Sequence, residues 1–496
     1  MDRSTTARAG ALDREVVVTG LVVVCGLIMV VFDTTIVNVA LETVSRQLGA
    51  GLSTAQWMVT GYLLAVGLVI PLTGWAMDRF GTKPVWILSV VLFAAGSALC
   101  AAAWSIESLI AFRVVQGLGG GMLLPGGQTI ITRAAGPERL GRAMAILGVP
   151  MLLGPVFGPV LGGLLVEYTS WHWIFLVNVP VAVCAVGLAA WKLPGGGEVE
   201  HPGRIDVRGL VLLSGSLVVL LYGLSRASSQ GGFGHWNVIA WLIAGGAGLA
   251  LYTWHSLGRG PAALIDVRLF ANRFFTAGAV TIFLVAVALF GGLLLLPLYY
   301  QTVRGEGALT AGLLLAPQGL GAMVAMPLAG KLTDRVGAGF VVPVGIVLAL
   351  LGTAPLAQVG TATSYAWLSA VLFVRGLGLG SVMMPTFAAA YAKLDARAVS
   401  RAAPTLSAIQ QVGASLGSAL LVTALTQHLT GGLAARGIPA AGPGPITSMP
   451  PAARATVGPI LAESFGFAFW VAFGMTAVLI FPALLLPRRA KRSSAA

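Results

Sequence analysis

The sequence predicts an all-α integral membrane protein, with two parallel six-helix halves and two further helices inserted between them, fourteen transmembrane helices in all. Three observations lead there. Only 9% of the 496 residues are charged and 57% are apolar, against about 25% charged in ordinary soluble domains, and mean hydropathy is +0.89. Fourteen apolar runs approach the ~20 residues that a helix needs to cross the hydrocarbon core. An internal repeat relates the two ends of the chain.

The runs lie near 16–41, 54–77, 84–103, 108–132, 139–166, 172–192, 208–226, 236–256, 274–302, 309–332, 340–358, 366–388, 403–427 and 463–486. Losing the seventh and eighth would leave twelve. A β-barrel would show short alternating segments instead, and 66 glycines suit helices packed closely in a bilayer. The basic start (Arg3, Arg8, Arg14) precedes an apolar run too long for a signal-peptide core, with no small-x-small site after it. The first helix is therefore expected to be retained.

Charge sets the orientation. With the N-terminus in the cytoplasm, cytoplasmic segments collect 23 of the 30 Lys and Arg residues. Five fall in external loops (Arg46, Arg226, Arg304, Arg436, Arg454), and Arg113 and Arg375 fall inside helices. This excess puts both termini on the cytoplasmic side of the cell membrane. Residues 193–207, with Glu198, Glu200, His201, Arg204 and Asp206, read as a flexible linker, and 428–462 as a long external loop. The expected units are an N-terminal half at 1–192, a linker with the inserted pair at 193–273, and a C-terminal half at 274–496.

The repeat pairs Gly74-x3-Asp78-Arg79-x-Gly81 with Gly330-x3-Asp334-Arg335-x-Gly337, an offset of 256. The glycine-rich run Gly117–Pro125 returns as Gly376–Pro385. Both copies occupy equivalent ends of equivalent helices in the same orientation, hence parallel halves.

Asp33 carries the functional reading. It lies eight residues from the external end of the first run, roughly 12 Å deep at 1.5 Å per residue. An ionisable group in hydrocarbon is costly and marks an ion or substrate pathway. Arg113 sits at similar depth in the fourth run. Burial favours the neutral acid while a neighbouring guanidinium favours the carboxylate, and such opposed effects poise an acid to bind and release a proton. The alternative is a structural ion pair that never titrates. Arg113 either tunes Asp33 or bonds backbone carbonyls near Pro125. Arg375 has no acidic neighbour in the helices of its half, and a structural or interfacial role fits it.

Asp78, Arg79 and Lys83 stand in a tight cytoplasmic turn that Gly74 and Gly81 permit. A carboxylate there can approach the start of the thirteenth helix, at Ser400–Ser407, where free N–H groups favour an anion. The alternative is a solvated, topology-setting loop. Gly154, Gly158 and Gly162 form a smooth packing stripe, and Pro155 and Pro159 interrupt its hydrogen bonds. Amide, aromatic and Met side chains suit a lipophilic ligand: Gln56, Trp57, Tyr62, Gln116, Met151, Tyr299, Tyr300, Gln318, Met383, Met384, Gln410 and Gln411.

Several negatives narrow the class. The net charge of +13 is scattered, not gathered on one face, so nucleic acid is not an expected partner. Cys25, Cys100 and Cys184 lie in apolar segments without metal spacing. With no phosphate-cradling Lys-Ser/Thr loop, His-Glu-x-x-His or nucleophile elbow, neither ATP, a metal nor an enzyme activity is expected.

The run Asp33-Thr-Thr-Ile-Val-Asn-Val-Ala-Leu41 resembles the first-helix motif of the fourteen-helix drug:proton antiporters of the major facilitator superfamily (EmrB/QacA type). Glu42 stands where that family usually has proline. Gly74-x3-Asp78-Arg79-x-Gly81-x-Lys83 is similar to the superfamily's loop between helices two and three, and Arg113-x2-Gln116-Gly117-x-Gly119 to its fourth-helix motif. Gly154-Pro155-x2-Gly158-Pro159-x2-Gly162-Gly163 resembles the antiporter-type fifth-helix motif. Trp171–Pro180 and Ala311-Gly312-x4-Pro317 also look family-typical. The resemblance implies a major facilitator fold, with the Asp78 loop latching the halves at the cytoplasmic face. It also implies proton-driven multidrug export by a monomer, with the proton gradient as energy source and no cofactor. An exporter of an endogenous lipid, siderophore or antibiotic, an uptake symporter, and a non-transporting sensor or scaffold are the rivals.

The topology has a direct check. Thr5→Cys and Ala440→Cys should react with membrane-impermeant thiol reagents from opposite faces of the membrane. Labelling of both from one face would refute the orientation.

Overall fold

The computed structural model describes residues 13–136, 139–194, 205–230, 232–392, 394, 396–438 and 451–487, and among these all regular structure is helical. In hydrocarbon a helix satisfies its own backbone groups, which makes long apolar runs helical throughout. The main helices are α1 (Arg14–Gln47), α2 (Trp57–Val69), α3 (Leu72–Phe80), α4 (Thr82–Ala101), α5 (Ile106–Ala135), α6 (Leu140–Tyr168), α7 (Asn178–Lys192), α8 (Val207–Ser229), α9 (Trp236–Arg259), α10 (Arg273–Thr302), α11 (Ala308–Val336), α12 (Ala338–Thr353), α13 (Tyr365–Tyr391), α14 (Ala396–Ala434) and α15 (Pro451–Val478). Among the described residues twelve helical spans are long and apolar enough to cross a membrane, thirteen if α2 and α3, bent by 53° at Ile70 and Pro71, count as one.

Sequence sets the breaks. Ser105 and Ser108 form a reciprocal cap at the start of α5, and Asn272 Oδ1 accepts from Phe274 N and Phe275 N to start α10. Gly81 (φ 88°) and Gly337 (φ 89°) make the α3–α4 and α11–α12 turns in a conformation that side chains resist. These two turns mark one end of the bundle, called here the turn end. The loop expected at 428–462 is shorter than predicted, because α14 runs on to Ala434 and α15 begins at Pro451.

The repeat is visible as matched close contacts. A Cβ added at Gly96 would sit 2.6 Å from the Gln116 backbone, and one at Gly352 would sit 2.5 Å from that of Arg375. Gly117 and Gly376 press on the carbonyls of Tyr62 and Gln318. Gly119 and Gly378 press on the backbones of Phe93 and Ala349, and Gly121 and Gly380 on those of Val66 and Ala322. Every counterpart is displaced by 256 or 259 residues. Arg375 thus stands where the first half has Gln116, and Gln318 where it has Tyr62. The Arg375 guanidinium rests on Gly292 of α10.

The pair α8–α9 lies against both halves. Leu221 of α8 packs on Gly67, Ser214 Oγ donates to the Leu68 carbonyl at 2.7 Å, and Trp57 stacks on Tyr222. On the other side Ala227 and Val238 pack with Ala419 of α14. Asp206, expected in a flexible linker, is instead an ordered cap. Its Oδ1 accepts from Gly209 N at 3.1 Å, and both its oxygens lie 3.0 Å from His255 Nε2 of α9. Residues 195–204 of that linker lie outside the described residues.

Glycine packing yields a paired prediction. Gly119→Val, set against the Phe93 backbone, should destabilise by about 1–3 kcal/mol through overpacking, measured as a lowered Tm in detergent. Gly246→Val in α9, with nothing within 4 Å, should leave Tm near wild type.

Candidate functional site

Asp33 is fully buried in α1, so each of its oxygens needs a donor. Oδ2 accepts from Arg113 Nη1 at 2.5 Å. Oδ1 accepts from Gln116 Nε2 at 2.8 Å and, at 3.5 Å, from Asn178 Nδ2. Arg113 and Gln116 stand one turn apart on α5, which puts both on the face turned to α1. Arg113 Nη1 also donates to Gln116 Oε1 at 2.7 Å, and Nε donates to the Met58 carbonyl at 3.1 Å. The guanidinium lies over the Tyr62 ring, 4.2 Å from its centroid, a favourable cation–π geometry.

A second ring of polar atoms holds the first. Ser97 Oγ of α4 accepts from Gln116 Nε2 at 3.1 Å and from Asn178 Nδ2 at 3.0 Å, and donates to the Phe175 carbonyl at 2.8 Å. The contact of Gly96 with Gln116 is what lets α4 come this close. The carboxylate therefore sits at the junction of α1, α2, α4, α5 and α7. A change at this carboxylate would therefore be felt by every helix in the junction.

The α6 stripe lies against the same stretch of α1. Gly154 packs on Val31, Gly158 on Thr35 and Gly162 on Ile36, while Gly163 faces open space. Thr35 Oγ1 donates to the Gly154 carbonyl at 3.2 Å. The side chains of Met151, Pro155 and Pro159 lie outside the described residues.

At the turn end the halves meet through two related contacts. Gly74 of α3 sits against the Ser400 carbonyl of α14. Buried Asp78 lies 3.3 Å from Arg133 Nη2 and 3.9 Å from Arg401 Nε. In the repeat copy Gly330 and Gly141 touch backbone to backbone. Asp334 accepts from Gly141 N at 2.8 Å and from Arg142 Nε at 2.6 Å. Gly141 is the second residue of α6, so its N–H has no partner inside the helix and favours a carboxylate. Further in, Tyr391 Oη of α13 donates to Gln128 Oε1 of α5 at 3.0 Å, with Ser407 Oγ 3.4 Å from the same oxygen. Lys83, grouped with the gate from its motif, turns away from it. Its Nζ donates to the Ala190 and Leu193 carbonyls and caps the end of α7 in its own half. Arg79 is exposed.

The remaining candidates do not converge. Gln56 and Trp57 are exposed, Trp57 against the inserted helix. Tyr62 and Gln116 belong to the Asp33 junction. Tyr299 Oη donates to the Gly360 carbonyl, Gln318 Oε1 accepts from Arg375 Nη1 at 2.7 Å, and Tyr300, Met383 and Gln410 are buried. Sequence reasoning missed Ser97, Asn178, Gln128 and Tyr391 as site residues. It quoted Asp334 only as a repeat copy, and the repeat was the signal that marked it.

The family profile of the Major Facilitator Superfamily matches residues 23–420. A multidrug resistance protein B homolog of Mycobacterium tuberculosis is 43% identical over 417 residues, covering 84% of this chain and 77% of that one. A putative multidrug resistance protein MdtD of Serratia proteamaculans is 33% identical over 416 residues, covering 82% and 85%. In structure the chain is similar to the human organic anion transporter MFSD10 (TM-score 0.62, 15% identity, 94% of this chain and 99% of that one). It is also similar to the proton:xylose symporter XylE (TM-score 0.60, 13% identity, 95% of each). At such identities these two likenesses establish the fold alone.

Breaking the buried pair should be costly in one direction. Arg113→Met leaves a buried carboxylate without its cation and should destabilise by about 3–5 kcal/mol, read as Tm. The double variant Asp33→Asn/Arg113→Met should recover much of the loss, and strict additivity would argue against direct coupling.

Proposed function

The chain belongs to the major facilitator superfamily, and on that footing we propose that it is a proton-coupled exporter of amphipathic or lipophilic compounds. The observation that carries the reading is Asp33, a fully buried carboxylate held by one guanidinium and two amide donors. A carrier that exchanges protons for substrate needs a group whose charge differs between its two half-cycles. Asp33 is placed to supply it, and Arg113 and Gln116 to transmit it. The multidrug-resistance names of the two relatives support export of drug-like compounds.

Counting the bent α2–α3 pair and the 29-residue α6 as spans gives fourteen. That number supports the EmrB/QacA-type subfamily within the superfamily. With both termini in the cytoplasm, the turn end is the cytoplasmic face, and the Asp78 and Asp334 contacts are latches closed there. Alternating access then means breaking both latches while the opposite end closes. The protein works as a monomer in the cell membrane, driven by the proton gradient without a cofactor.

Proteoliposomes with an imposed pH gradient test this reading. Asp33→Asn keeps volume and hydrogen-bonding capacity but cannot change charge, so uphill export across a panel of lipophilic cations should collapse. Well-folded Asp33→Asn protein that still exports uphill with an unaltered pH profile would move the coupling elsewhere. Glu306, which accepts from Tyr365 Oη near the other end, would be the next group to examine.

The latches predict a separate phenotype. Asp78→Asn or Asp334→Asn should slow transport several-fold and raise cytoplasmic thiol accessibility along α5 and α13, with the double variant more open than either. Unchanged accessibility would reduce both contacts to topology signals.

A further inference from the structure

The second half repeats the packing of the first without its ion pair: at the offset that relates α5 to α13, Leu372 stands in the place of Arg113. Arg375 is 2% exposed and occupies the place of Gln116. Nη1 donates to Gln318 Oε1 at 2.7 Å, while Nε has no hydrogen-bond partner among the described residues. No ion pair among the described residues includes Arg375. The Nη2 edge rests directly on Gly292 of α10, where any side chain would displace it.

An arginine stays protonated under all these conditions, and a guanidinium removed from water without a counter-charge is strongly disfavoured. The first half meets that cost with its own aspartate. The second half buries its cation one turn further along the equivalent helix and pairs it with no anion among the described residues. Its unpartnered Nε adjoins Nη2, the edge whose two parallel N–H groups match a carboxylate. Gln318 fixes the opposite edge.

We propose that Arg375, oriented by Gln318 over Gly292, is a receptor for a small anionic group that arrives from outside the chain. That group is a carboxylate of an amphipathic substrate or an inorganic anion such as chloride. The inference rests on the export reading for its route of access, since the site is wetted only when the halves move. It widens the substrate class from lipophilic cations and neutral compounds to amphipathic carboxylates.

Two arms separate the sources. In proteoliposomes, dansylglycine and its methyl ester are offered at equal concentration, and the acid-to-ester transport ratio is read. Arg375→Gln should lower that ratio at least about tenfold, as loss of one partner of a buried charge pair does. In detergent, Tm of the wild type is followed as chloride replaces bulky, strongly hydrated gluconate at constant ionic strength. A rise in wild type that Arg375→Gln abolishes identifies chloride as an occupant.

Gly292→Asp provides a second variant should Arg375→Gln fold poorly. It builds in the missing carboxylate at the cost of shifting only the flexible end of Arg375. It should abolish the chloride response and lower the acid-to-ester ratio. A ratio unchanged in both variants, with no chloride-dependent Tm in wild type, would overturn the proposal and leave Arg375 as a structural donor. Failure of wild type to transport either compound against a gradient would count against the export reading. The chloride arm needs no transport and still decides whether an anion binds.

Discussion

A charge placed in hydrocarbon has to be answered by another charge, and the first half of this protein is organised around one such answer. Asp33 and Arg113 lie 2.5 Å apart and fully buried. The amides of Gln116 and Asn178 and the hydroxyl of Ser97 complete the shell. These side chains come from α1, α4, α5 and α7, so the pair can form only if four helices approach to backbone distance. Gly96 lets α4 reach α5 and Gly117 lets α2 close over them, since a Cβ at either would meet the backbone of a neighbouring helix. The glycine content and the buried pair are therefore one design. Small residues supply the closeness, and the closeness makes a desolvated carboxylate tolerable.

The same scaffold is used twice, and the differences between the copies are informative. The glycine contacts of α5 recur in α13 almost contact for contact, and Asp78 with Arg401 is matched by Asp334 with Arg142. The polar centre departs: Arg113 becomes Leu372, Gln116 becomes Arg375, and Tyr62 becomes Gln318. Packing has kept its symmetry while the chemistry has not. A carrier needs two bodies alike enough to rock against each other. It also needs centres different enough that binding at one is not cancelled at the other.

Much of this was legible in the sequence, for stateable reasons. Asp33 and Arg113 stand out because charges are rare in apolar runs, and the glycine rows and Asp–Arg turns because they recur at a fixed offset. Ser97, Asn178, Gln128 and Tyr391 did not stand out. A serine or asparagine in a membrane helix is unremarkable until rotation and neighbours are known, and partners 81 or 263 residues apart leave no local pattern. Lys83 went astray for a related reason. Its motif fixes where the residue stands, but its long side chain reached back to the open carbonyls of α7 instead of across to the other half. Asp206 was misread because a polar, glycine-rich context resembles a linker even where one carboxylate caps a helix.

The two carboxylate contacts at the turn end are partly solvent-exposed on their arginine side, with Arg401 31% and Arg142 16% accessible. Pairs of that kind are worth on the order of 1 kcal/mol each. One elementary charge moved through 100 mV performs about 2.3 kcal/mol of work. On the proposed function, breaking both contacts would cost about the work of a single charge crossing. One step of a driving gradient would then suffice to open the turn end, where a single deep ion pair would have acted as a lock.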